Sequence, residues 1–295
     1  MERKPNIDAF GAISLIVFSV LLGFNQVVIK VVNGGLQPVF FAGLRSLGVI
    51  FCVWLWIRLR GRKLDFKEGT VRAGILMGVV FAFEFICLFI ALDLTSVTRT
   101  TVIFYSMPVW LAIAAHFLMP DERVTPIKAA GLLIAFIGVA YAIISRGAAD
   151  TGTSLTGDLF ALGAALGWAG VALVARATRL SEVRAEMQVF WQTLVSAPIL
   201  LLVAPLFGPL IRDLEPIHLW GLGFQIVVIV SAGFIFWLWL LSIYPASSVA
   251  SFSFLTPIFG VLMGWAMLGE EISIALIISL VLVTGGIILI NRPAR

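Results

Sequence analysis

Of 295 residues, 61% are hydrophobic and only 12% charged, against roughly 25% charged in a soluble globular domain, so no soluble fold could cover this much apolar side chain. The formal charge of +4 does not point to nucleic acid, because the basic residues sit in short clusters between apolar runs, as membrane topology signals do. The bilayer is therefore the solvent in which the chain is read.

Polar and Pro/Gly breaks divide the chain into ten apolar segments, each about 18 to 25 residues long, the length that crosses about 30 Å of hydrocarbon as a helix. The first five run from Phe10 to Lys30, Pro38 to Ile57, Val71 to Leu92, Val97 to Leu118 and Pro126 to Ile144. The second five run from Asp158 to Thr178, Met187 to Phe207, Leu219 to Ile243, Ser247 to Leu268 and Ile272 to Ile290. The first run follows Arg3 and Lys4 but has no small-residue cleavage site, and is expected to be an uncleaved first helix. Pro38 and Pro126 suit a first helical turn, and Asn33-Gly34-Gly35 ends a helix. Cys52 and Cys87 fall inside apolar runs and read as packing residues. The connections are too short to hold a soluble domain.

With the N-terminus inside, the cytoplasmic segments hold 15 of the 20 Lys and Arg residues, so the positive-inside rule places both termini in the cytoplasm. The halves resemble each other. Lys30 and Arg176 close the first helix of each, Pro108 and Pro257 interrupt the fourth, and Asp121-Glu122 and Glu270-Glu271 precede the fifth. Five is odd, so a duplicated five-helix unit inserts its second copy upside down. The expected fold is an all-α integral membrane protein of ten transmembrane helices in two inverted repeats, residues 1–146 and 147–295.

These landmarks carry a family resemblance. Ile29-Lys30, Leu44-Arg45, Ala91-Leu92, Met107-Pro108, Glu122 and Glu271, in this order and spacing, resemble the drug/metabolite transporter superfamily, EamA type, over essentially the whole chain. The aromatic-rich first half is most similar to the bacterial aromatic amino-acid exporters. The resemblance implies a secondary transporter in the bacterial inner membrane, with no cofactor, exporting aromatic and other large neutral amino acids by alternating access or, alternatively, another small metabolite or drug, nucleoside or sugar-like. It also implies a substrate site among helices 1, 3 and 4 of one repeat and 6, 8 and 9 of the other. The repeats differ where Gln192 stands for Arg45 and Ser242 for Asp93.

Within the segments, Glu84 is the leading site candidate, since an ionisable group at mid-helix must face protein, water or a partner. It would pair with a substrate ammonium or exchange a proton; the alternatives are an ion pair with Arg45 or a carboxyl kept neutral. Arg45 could anchor a carboxylate, but packing or ion pairing is the reading favoured for it. Pro108 and Pro257 should kink their helices and free the carbonyls of Phe104 and Ser253. Tyr105, Ser251 and Ser253 offer hydroxyls at similar depth, though such serines often bond only their own backbone. Trp168, Trp237 and Trp239 lie deeper than an interfacial belt, and Phe83 is the neighbour of Glu84. Asn25, Gln26, Gln225 and Ser231 must face protein or a cavity. Lys30 is read with the prolines and Arg45 as a structural or gating residue. Gly163/Gly167/Gly170, Gly74/Gly78 and Gly260/Gly264 predict close helix seams.

An intramembrane enzyme is the rival class. The only histidines are His116 and His218, with no H-E-x-x-H or G-x-S-x-G motif. A channel would want a repeated filter motif, which is absent. No Walker A motif is present. The expected partners are an amino-acid substrate and lipid.

Overall fold

The computed structural model describes residues 8–64, 66, 69–119, 124–145, 154–244 and 252–290. Ser251, Asp121, Glu122 and the boundary at 146/147 lie outside them.

Every predicted apolar segment is mainly helical where it is described. Asp8 caps α1 (Ala9–Val32) by accepting from the Gly11 N–H, and the Asn33-Gly34-Gly35 turn leads to α2 (Pro38–Leu59), which Pro38 opens. Thereafter come α3 (Val71–Leu94), α4 (Val97–Phe104), α5 (Met107–Leu118), α6 (Pro126–Ile144), α7 (Leu155–Ala177) and α8 (Ala185–Val203). The remainder are α9 (Pro216–Phe224), α10 (Gly233–Ile243), α11 (Leu255–Leu268) and α12 (Ile274–Ile290). Among the described residues seven spans are long and apolar enough to cross a bilayer, the fourth of them formed by α4 and α5 together; Pro216–Ala232, Leu255–Leu268 and Ile274–Ile290 are shorter apolar helices.

Two departures from regular helix matter. The expected kink at Pro108 is a full break: α4 stops at Phe104, Tyr105 and Ser106 turn, and α5 starts at Met107 with the proline in its first turn. The reason is local, because Pro108 has no N–H for the Phe104 carbonyl and Ser106 folds back, its N–H and hydroxyl both donating to Ile103 O. A tight turn at Phe252–Phe254 stands at the corresponding place before Pro257 in α11. Between α9 and α10, residues Gln225–Ala232 form wide i→i+5 turns, in which Ser231 donates to Ile226 O at 2.7 Å. Such widened turns recur at functional sites.

The glycine seams are where helices touch. Gly163, Gly167 and Gly170 on α7 lie against Cys87, Glu84 and Val80 on α3, and a Cβ on Gly167 would come within 2.9 Å of the Glu84 Cα. Gly74 and Gly78 of α3 face Trp191 and Val195 of α8, while Gly260 and Gly264 of α11 face Thr101 and Thr98 of α4. A further seam, Gly131 of α6 against Gly286 of α12, joins the fifth helices of the two halves. Along α3 the opposite face is bare: Ile75, Leu76, Val79 and Phe83 are exposed at 45–50%. That stripe recurs every three to four residues and suits lipid rather than water.

The helix ends meet in two clusters. At one, Lys30 at the close of α1 donates from Nζ to Thr95 O at 2.8 Å, and Gly157 at the start of α7 abuts the same Thr95. Arg99 of α4 and Asp158 of α7 form a fully buried ion pair at 2.6 Å, and Arg99 also donates to Ala142 O of α6. Arg212, between α8 and α9, forks onto both oxygens of Asp93 at 2.7 and 2.9 Å. The Glu270 carboxylate accepts from the Val97 and Thr98 N–H groups, so the second half caps a helix of the first. At the other cluster, Tyr244 at the end of α10 donates to Asp8 and packs on Gly11 of α1, the counterpart of Thr95 on Gly157.

Candidate functional site

The deepest charges sit on α2 and α3. Glu84 is 2% exposed and Arg45 is 3% exposed. Glu84 is held against α7 by the Gly167 seam, which leaves no room for another side chain on that face. Arg45 lays its guanidinium over the Phe85 ring, 3.9 Å from the centroid, with Phe89 at 5.1 Å. The two charges share one neighbourhood, since Phe85 and Phe89 beneath Arg45 lie on the same helix as Glu84. They are not joined: among the described residues, no carboxylate lies within the 4.0 Å of an ion pair from Arg45. Glu84 Oε2 and Arg45 Nε are both buried with no hydrogen-bond partner. The expected alternative, a structural Arg45–Glu84 ion pair, is thus not made.

An aromatic row flanks these charges. Phe81 and Phe85 are 4.3 Å apart between centroids, Phe85 and Phe89 5.5 Å, and Phe41 stands 4.9 Å from Phe89. Trp168 follows Gly167 on α7 and packs, half-buried, against the same core. Phe83 does not join them. It sits on the exposed stripe of α3, because one residue along a helix is about 100° around it.

Tyr105 is buried in the α4–α5 break. Gln26 Oε1 and the Thr100 and Thr101 hydroxyls are buried without partners, and groups like these want water or ligand. Asn25 instead accepts from Gln225 where the wide turns begin, so it ties α1 to that segment. Trp237 stacks on Phe18 of α1 at 5.3 Å, away from the Glu84 row. Pro108 opens α5 and Pro257 is buried in the first turn of α11. Lys30 serves the end cluster, donating to the Asp93 and Thr95 backbone carbonyls. Beside it the Asp93 carboxylate, hydrogen-bonded to Arg212, raises the proton affinity of that guanidinium.

Arg99, Asp158 and Arg212 were not singled out by sequence, and Glu270 only as a landmark of the repeat. Their signal is weak, since each lies at a segment end where charges are ordinary. His218 accepts from the Glu215 N–H and packs on Gly35, a capping role that accounts for one of the two histidines.

The family model for the EamA-like transporter family matches twice, over residues 9–144 and 155–292. The chain belongs to the EamA-like transporter family. Two Bacillus subtilis (strain 168) relatives span nearly the same length. "Uncharacterized transporter YoaV" is 23% identical over 278 residues, covering 93% of this chain and 94% of its own. "Uncharacterized transporter YvbV" is 24% identical over 299 residues, covering 100% and 95%. A crystal structure aligns with a TM-score of 0.66 at 18% identity, over 94% of this chain and 95% of that one, which is a likeness of fold alone. As an EamA-like protein the chain is a multi-pass membrane transporter.

Proposed function

We propose that this transporter exports aromatic and other large neutral amino acids from the bacterial cytoplasm by alternating access, the substrate bridging Glu84 and Arg45. The observation that carries the reading is the buried, unjoined pair of opposite charges, each with an unpartnered atom. Burying an ion without a partner costs several kcal/mol, and intramembrane charges mark substrate pathways. A zwitterion offsets both at once, its ammonium on Glu84 and its carboxylate on Arg45, with its side chain along Phe81, Phe85 and Phe89. A nucleoside or sugar leaves both charges unmet. Tyr105 and Trp168 complete the wall in this reading.

The proposed membrane arrangement is ten spans in the inner membrane, with both termini cytoplasmic and two inverted repeats, 1–146 and 147–295. Its support is the double family match and the paired contacts Thr95–Gly157 and Tyr244–Gly11. Thr95, which holds Lys30, and Arg99 of α4 meet the start of α7, whereas the start of α1 meets the end of α10. Two ends built alike and facing opposite ways suit gates that open in turn. The break at Tyr105-Ser106 and the turn before Pro257 are the flexing points.

The test is counterflow of radiolabelled phenylalanine and tryptophan into liposomes holding the purified protein, with a nucleoside as control. Saturable amino-acid exchange, competed by unlabelled aromatics and lost in Glu84→Gln, supports the reading. Exchange of the nucleoside alone would overturn it.

A further inference from the structure

One face of α2 changes character along its length. Leu47, Phe51, Leu55 and Leu59 are exposed at 51, 61, 40 and 75%, an apolar stripe recurring every four residues. Toward the C-terminal end of the same face, Phe51 meets Trp54 at 6.0 Å, and the Arg58 guanidinium lies 5.5 Å from the Trp54 ring. Beyond Arg58 the chain folds back, and Trp54, Ile57, Arg58, Arg62, Lys63 and Leu64 line a cavity of about 270 Å³.

The cavity is fixed in place by the other half of the molecule. Arg62 pairs with Glu186 of α8 at 2.6 Å, and Arg184 donates to the Lys63 carbonyl at 3.0 Å. With Arg62 so engaged, Arg58 and Lys63 are the cations left over, and neither has an acidic side chain within ion-pair distance among the described residues. Apolar stripe, aromatic ring and Arg58 follow one another along one helix face, with Lys63 just beyond the helix end. This is the order of acyl chain, glycerol level and phosphate in a phospholipid.

We propose that this cavity binds an anionic phospholipid, its phosphate between Arg58 and Lys63, its glycerol region at Trp54 and its chains along Leu55, Phe51 and Leu47. A free phosphate would use the cations without the stripe; an anionic lipid uses both. The site lies on α2, at a helix end and apart from Glu84, so it stands independently of the transport reading. The lipid bridges α2 to the loop that Glu186 and Arg184 hold from the other half.

Native mass spectrometry of the purified protein, titrated with phosphatidylglycerol, phosphatidylcholine or inorganic phosphate, tests it. Phosphatidylglycerol should bind in preference to both. Each of Arg58→Gln and Lys63→Gln should weaken that binding roughly fivefold, the share of one basic residue at a lipid surface. Trp54→Leu, which keeps the charges, should weaken it as well. Arg60→Gln, whose guanidinium lies over Trp56 outside the cavity, should leave it unchanged. All these positions are at the surface or half-buried, and elution volume and melting temperature verify folding. Equal binding of phosphatidylcholine, binding of phosphate as tight as that of the lipid, or equal losses in Arg60→Gln and Arg58→Gln would overturn the proposal.

Discussion

Removing one member of the Arg99–Asp158 pair should be among the most damaging single changes outside the site. Both side chains are at most 1% exposed, and the pair joins α4 to α7, one helix from each half. Arg99 also bonds Ala142 O, and Asp158 lies 3.1 Å from the Thr95 hydroxyl, so either loss strands a buried charge among groups arranged for two. Breaking a buried pair costs about 3–5 kcal/mol, whereas replacing both partners by apolar side chains is often neutral. The expected result is a loss of about 3 kcal/mol or more for each of Arg99→Met and Asp158→Leu, and a smaller loss for the double variant. That gives a coupling energy of about 3 kcal/mol or more. The assay is reversible unfolding in mixed micelles, titrated with a denaturing detergent and followed by the fluorescence of the nine tryptophans. Losses that add in the double variant would refute the reasoning, because additivity means the charges do not interact.

Glu270→Gln keeps the shape of the acid that caps α4 but removes its charge from the helix N-terminus, and should cost about 1 kcal/mol in the same unfolding measurement. Arg212→Ala removes a half-exposed pair with Asp93 and should cost less than about 1 kcal/mol, shrinking further at high salt. Gly167→Val forces α7 away from the Glu84 backbone, so a lowered melting temperature and lost transport are expected together. Phe83→Ala, on the exposed stripe, should change transport by less than about twofold in proteoliposomes, as a surface substitution does.

The helices were legible because a membrane demands long apolar runs, and because Pro38 and Pro126 begin helices where a missing N–H is harmless. The seams of Gly163, Gly167 and Gly170 were legible too, since spacing alone puts them on one face. Partners were not legible. Nothing in the spacing says that Gly167 meets Glu84, that Arg45 turns to Phe85 rather than to the acid, or that Glu270 reaches across to Val97. Phe83 shows the limit of adjacency in sequence, since the residue next to Glu84 faces outward. The break at Tyr105-Ser106 goes further than a proline kink because Ser106 takes up the Ile103 carbonyl, a choice made by a side chain the proline rule does not consider. The wide turns after Phe224 carry no proline or glycine pair to announce them.

In the proposed site Glu84 and Arg45 hold the two ends of a zwitterion. The direct measurement is competition in phenylalanine counterflow by phenylalanine, phenethylamine, which lacks the carboxylate, and 3-phenylpropionate, which lacks the ammonium. Wild type should be inhibited far better by phenylalanine than by either analogue. Arg45→Gln should lose most of that advantage over phenethylamine, and Glu84→Gln over 3-phenylpropionate, each variant becoming indifferent to the end its missing charge would hold. Equal inhibition by all three compounds in wild type, or unchanged selectivity in both variants, would contradict the account.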